Sequence, residues 1–212
     1  MTANNPAKRR RTEHFASPQG SLVDHAQPLD GDALGEAWEK SFDAAARIYA
    51  FAQTATGGAS PEVCTTQPRY VGGYGKARPA GKGWVDRIIC APEGLTVHVE
   101  LKAVVRQGDH ELRWTLPDSL RADKDKGHQA RRLTSLARLG HRAVVLLGVQ
   151  CPERIGAWSA AYLIPVSPDG LPAWSSQASA TWEELAPYRA RLPLCLGDLL
   201  APKSTSKLEA VS

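Results

Sequence analysis

The 212 residues contain no pair of cysteines at C-x-x-C spacing, no apolar run of bilayer length and no apolar stretch behind the basic residues near the N-terminus. Each absence excludes something. Cys64, Cys90, Cys151 and Cys195 stand far apart, so neither a zinc site nor a disulfide framework is expected, and the four are read as reduced thiols. A helix crossing a bilayer needs roughly 20 apolar residues, and a secretory signal needs an apolar segment after its charged start; the expectation is a soluble, cytoplasmic protein. Aromatic residues are sparse at 7%, yet 42% of the chain is hydrophobic, enough for one sizeable core.

The net charge of +4 is modest but unevenly placed. Residues 1–13, with Lys8 to Arg11 against Glu13, carry +3; residues 69–87, with Arg69, Lys76, Arg78, Lys82 and Arg87 against Asp86, carry +4; residues 121–142 carry +5. These three stretches hold +12 together, so the remainder carries −8. Clustered Lys and Arg are what phosphate neutralisation requires; solvated helix and loop surface is the competing account.

Taken in order, residues 1–30 are polar, basic and without periodicity, and read as a disordered tail. From Ala33 to Thr54 the pattern is helical: Trp38, Phe42, Ala45 and Tyr49 form a stripe, with Lys40, Asp43 and Arg47 away from it and Glu39 at its edge. Residues 55–83 are rich in glycine and proline and read as irregular, either a flexible linker or a basic, tyrosine-bearing segment laid on a nucleic-acid backbone. Trp84–Ile89 and Leu95–Ala103 read as a β-hairpin around the turn Ala91-Pro92-Glu93-Gly94. A helix follows from about Asp125 to Leu139, stopped by Gly140, with Gln129, Leu133 and Leu136 facing inward. Arg142–Val149 is a near-continuous apolar run, as in a strand covered on both faces, and Trp158–Ile164 is another strand. Thr181-Trp182-Glu183-Glu184 has capping-box spacing for a last helix reaching Leu192. The expected fold is α/β, a mixed central β-sheet flanked by helices, over residues 31–197, with residues 198–212 a flexible tail.

The strand LTVHVELKA, Leu95 to Ala103, carries the chemistry. Side chains alternate along a strand, so Leu95, Val97, Val99 and Leu101 share one face and Thr96, His98, Glu100 and Lys102 the other. An acid and a base at the end of an apolar strand are costly to bury unless they serve each other or a metal ion. Asp86, fourteen positions before Glu100, sits on the paired strand, where antiparallel register can bring the two carboxylates together. Two hard oxygen ligands suit Mg²⁺, and the lysine beside them suits phosphodiester hydrolysis. Glu100-Leu101-Lys102 is the only acid-x-lysine tripeptide in the chain. His98 is either a general base or a polar packing residue, and an ordinary strand-end ion pair is the competing account of Glu100 and Lys102.

The run GWVDRIICAPEGLTVHVELKA resembles the D…ExK core of the PD-(D/E)xK nucleases, and the chain from about residue 33 to 165 resembles the RecU-type Holliday-junction resolvases. Gly35-Glu36-Ala37-Trp38-Glu39 is similar to that family's first-helix signature, Trp114-Thr115-Leu116 to its short aromatic segment, and His128-Gln129 to its H-Q pair. The resemblance implies a restriction-endonuclease-like core and a Mg²⁺-dependent endodeoxyribonuclease that resolves four-way junctions in recombination and repair, with Mn²⁺ able to substitute. It further implies a homodimer that makes matched cuts in DNA, with no membrane partner. Asp86, Glu100 and the Leu101 carbonyl would hold the metal, Lys102 would activate water, Glu39 would add an outer ligand, and Gln129 would orient Lys102 or the phosphate. Lys76, Arg78, Lys82, Arg131 and Arg132 would grip the DNA backbone.

Two departures stand out. Val85 replaces the usual proline before the aspartate, and residues 55–83 show no strand pair resembling the stalk that enters the junction centre in this family. Another nuclease of the same fold, acting on duplex DNA, and a non-catalytic DNA-binding module remain the alternatives.

Overall fold

The computed structural model describes residues 31–66, 70–71, 78–79, 85–106, 113–121, 127–151, 157–177 and 179–201, with backbone only at 70–71 and 78–79. Helix α1 spans Gly31–Ala55 and is followed by strand β1, Glu62–Thr65. A two-stranded ribbon pairs β2, Tyr70–Val71, with β3, Arg78–Pro79. Then come β4, Arg87–Cys90, β5, Thr96–Val105, and β6, Arg113–Thr115. Helix α2, His128–Arg138, precedes β7, Arg142–Gln150, and β8, Trp158–Val166. The chain closes with β9, Ser179–Thr181, α3, Trp182–Leu185, β10, Arg189–Ala190, and α4, Leu196–Leu200.

Six strands form one mixed sheet in the order β1-β4-β5-β7-β8-β10, with β5 and β7 parallel and the other neighbours antiparallel. The period-2 reading of β5 holds. Val97, Val99 and Leu101 bury against Trp38 and Phe42 of α1, with Leu196 and Leu199 of α4 on the same side. Leu133, Leu136 and Ala137 of α2 cover the opposite face with Val145, Leu147 and Ile164. β7 is covered on both faces, so almost its whole length is buried, in keeping with its unbroken apolar run. Trp38 seats α1 closely: its Nε1 donates to the Leu146 carbonyl at 3.0 Å. A Cβ on Gly148 would lie 2.5 Å from the Trp38 ring, so glycine is what allows the helix this near.

The hairpin forms as expected, with Arg87 opposite Val99 and Ile89 opposite Val97, closed by Gly94 at φ +82°, where L side chains are disfavoured. Gly140, at φ +86°, ends α2. Three expectations are corrected. Residues 55–83 are not wholly irregular, since β1 adds an edge strand to the sheet and β2–β3 make an antiparallel pair; strands of two to four residues are too short to display a period. The capping box at Thr181 and Glu184 is present, but α3 ends at Leu185 rather than near Leu192. Pro187 lacks the N–H that would bond the Glu183 carbonyl and its ring crowds that carbonyl, so the chain tightens into a 3₁₀ turn over Ala186–Tyr188 and then joins the sheet as β10. Finally, α4 is an additional element; it crosses residue 197 and packs on the α1 side.

Candidate active site

The hairpin and α2 bring Asp86, Glu100, Lys102 and Gln129 together. Asp86 sits at the bend where β4 begins, one residue before the register pair Arg87 and Val99. Its Oδ2 accepts a hydrogen bond from the Leu101 backbone N–H at 2.7 Å, satisfying a β5 amide that β4 does not reach. A strand residue's N–H and C=O point to the same side, so the Leu101 carbonyl also faces Asp86. Glu100 projects from β5 toward α2, its side chain only 1% exposed, and Lys102 Nζ donates to its Oε1 at 2.6 Å. Gln129, on the buried side of α2, donates through Nε2 to the same oxygen, while its own Oε1 is buried without a partner among the described residues.

Burial pushes the Glu100 carboxyl up to about 7; Lys102 opposes that shift and the Asp86 carboxylate adds to it. One ammonium therefore undercompensates two neighbouring acids, one of them dry. The donor set is hard oxygen throughout, with an orphaned amide oxygen nearby, and this fits a small divalent cation such as Mg²⁺, which takes one or two carboxylates and keeps several waters. Among the described residues no group of three or more His, Cys, Asp and Glu side chains converges on a metal position, so the backbone carbonyl and water would complete the shell.

Glu39 lies elsewhere. Its Oε2 accepts from Arg87 Nη2 at 3.1 Å, and Arg87 belongs to the α1 face of the sheet, opposite Val99. Arg87 itself, counted in the sequence with the basic stretch 69–87, is buried, with its side chain 5% exposed. Asp43, which the helical pattern sets away from the core stripe, grips it with a two-pronged pair, Nε to Oδ1 at 2.8 Å and Nη2 to Oδ2 at 2.9 Å. No local signal marks this contact, because the partners stand 44 residues apart.

His98 is buried on the Glu100 face with neither ring nitrogen partnered among the described residues, its ring edge-on to His141 at 5.1 Å, and burial lowers its pKa. Arg131 is exposed on α2 and Arg132 half-buried there. Arg78 lies in β3, with only its backbone described, and Lys76 and Lys82 fall outside the described residues, as does the basic run near the N-terminus. All four cysteines are free. No helix among the described residues is long and apolar enough to cross a membrane.

No protein-family model matches the chain, and no curated protein matches it.

Proposed function

We propose that this protein is a metal-dependent DNA endonuclease with a restriction-endonuclease-like core, acting on four-way junctions in the manner of the RecU-type resolvases it resembles. The observation that carries the reading is Glu100, a carboxylate 1% exposed and bonded to Lys102, beside a second acid that leaves the pair short of positive charge. An ion pair serving stability alone has no reason to be so deeply buried or so poorly compensated.

Asp86, Glu100 and the Leu101 carbonyl would hold Mg²⁺, with Mn²⁺ as a substitute. When bound, such an ion supplies a water of lowered pKa and neutralises charge on the scissile phosphate. Lys102 gives one of its three hydrogens to Glu100 and keeps two for an attacking water and a phosphate oxygen. Gln129 fixes the Glu100 carboxylate from the α2 side. Arg131 and Arg132 of α2 hold the DNA backbone without reading its sequence. The β2–β3 ribbon lies, in chain order, between α1 and Asp86, where the resemblance places a stalk, and this favours junctions over plain duplex. A homodimer in the cytoplasm, its two sites related by a two-fold axis, would cut paired strands at matched positions.

The test is cleavage of a labelled synthetic four-way junction beside linear duplex of the same sequence, with Mg²⁺ or EDTA, by wild type and Asp86→Asn. Paired symmetric nicks in the junction alone, lost with EDTA and in the variant, are expected. Equal cutting of the duplex would reassign the protein to a general nuclease of this fold, and binding without cutting in any metal would leave a binding module.

A further inference from the structure

The geometry points to Arg87 as a positioning residue for Asp86, held in place by Asp43 and Glu39 of α1; the inference rests on the metal-site reading above. Asp86 stands at a bend one residue before the β4–β5 ladder, so no residue of β5 is its register partner. Thr66 Oγ1 donates to the Val85 carbonyl just before it, and two further hydrogen bonds hold Asp86 itself. One is the bond from the Leu101 N–H to its carboxylate; the other runs from Arg87 Nη1 to its carbonyl oxygen at 2.9 Å.

The second bond orients Asp86 only if the guanidinium is itself fixed, and it is. Asp43 takes Nε and Nη2 in a planar fork at 2.8 and 2.9 Å, and Glu39 takes Nη2 again at 3.1 Å. Asp43 and Glu39 are one helical turn apart on α1, which Trp38 and Phe42 anchor to the sheet. The position of the helix is thereby transmitted through one rigid side chain to the peptide that bears the acid. A phosphate-binding role does not fit Arg87, which is 4% exposed and already engaged by two carboxylates. Lysine cannot replace it, because an ammonium lacks the fork that meets Asp43 and the Asp86 carbonyl together.

The experiment measures Mn²⁺ binding to the full chain without DNA, by electron paramagnetic resonance of the free ion, in wild type, Arg87→Lys, Asp43→Asn and Asp86→Asn, with thermal melts confirming folding. Junction cleavage is then followed against Mg²⁺ concentration. Loss of a residue that orients a metal ligand costs about 10–100-fold in metal affinity. Arg87→Lys is expected to raise the half-saturating Mn²⁺ concentration by that factor, and Asp43→Asn by less in the same direction, with cleavage partly restored by high Mg²⁺. Wild-type Mn²⁺ affinity in folded Arg87→Lys overturns the inference; should that variant fail to fold, wild-type affinity in Asp43→Asn does so. If wild type binds Mn²⁺ no better than Asp86→Asn, the site reading falls and this inference with it. Binding that is lost in the variants without cleavage of any DNA supports the positioning role while removing the nuclease.

Discussion

Two clusters, each of two carboxylates and one cation, lie on opposite faces of the sheet. Around Arg87 the cation is buried and its acids are wet, the Asp43 and Glu39 side chains being 36% and 45% exposed. Around Glu100 the arrangement is inverted: the acid is 1% exposed and Lys102 is 19% exposed. The electrostatic outcomes differ accordingly. Asp43 first, with Glu39 adding, holds the Arg87 guanidinium protonated more firmly than usual, although burial works the other way. Glu100 moves up to about 7 because desolvation outweighs its lysine. The same inventory of charges thus makes a strut in one place and an under-compensated, buried carboxyl in the other. Which group is kept from water decides the difference.

The largest effect comes from breaking the second cluster. Glu100→Gln should reduce cleavage on the order of 10³-fold, as removal of a group supporting a charged transition state does, measured by single-turnover assay at saturating Mg²⁺. The same change should help metal-free protein at alkaline pH. The folded carboxyl titrates near 7 against an ordinary value of 4.5, so its contribution favours the fold fully below about 4.5 and is lost as pH rises through about 7. Melting in EDTA should therefore show the Tm of Glu100→Gln gaining on wild type between those values and levelling above them. A constant gap across the range would show Glu100 to be ordinary and abolish the contrast.

The first cluster is sharpened through its support. Trp38→Ala removes the side chain that seats α1 over Gly148 and should cost about 3–5 kcal/mol in a urea titration. It should also weaken Mn²⁺ binding if α1 carries Asp43 and Glu39 to Arg87. The smallest effect lies outside both clusters: Arg131→Ala should weaken DNA binding a few-fold and reduce its salt slope by about 1, with the cleavage rate at saturating enzyme unchanged.

The second cluster was legible in the sequence and the first was not. Strand alternation put Glu100 and Lys102 on one face, hairpin register put Asp86 beside them, and helical spacing turned Gln129 inward, all of them local rules. The Arg87 strut joins α1 to a strand 44 residues away, and neither end carries a mark: Asp43 sits on the side of α1 away from the apolar stripe, and Arg87 closes the net-basic stretch 69–87. The short β1, β2 and β3 were hidden because glycine-rich composition resembles loop whether or not a few residues pair. The early stop of α3 was readable from Pro187, whose ring overrides a sound capping box.

The parallel pairing of β5 with β7, as of Val97 with Arg142, bears on how the molecule is made. The β4–β5 hairpin closes over a four-residue turn, 91–94, and needs no distant partner. The parallel pair must wait for the whole crossover through α2, and such non-local closures are slow. The acids are thus joined by a local closure, while the wall that dries Glu100 and delivers Gln129 depends on a non-local one. During refolding, recovery of the proposed cleavage should lag behind hairpin formation and coincide with completion of the sheet.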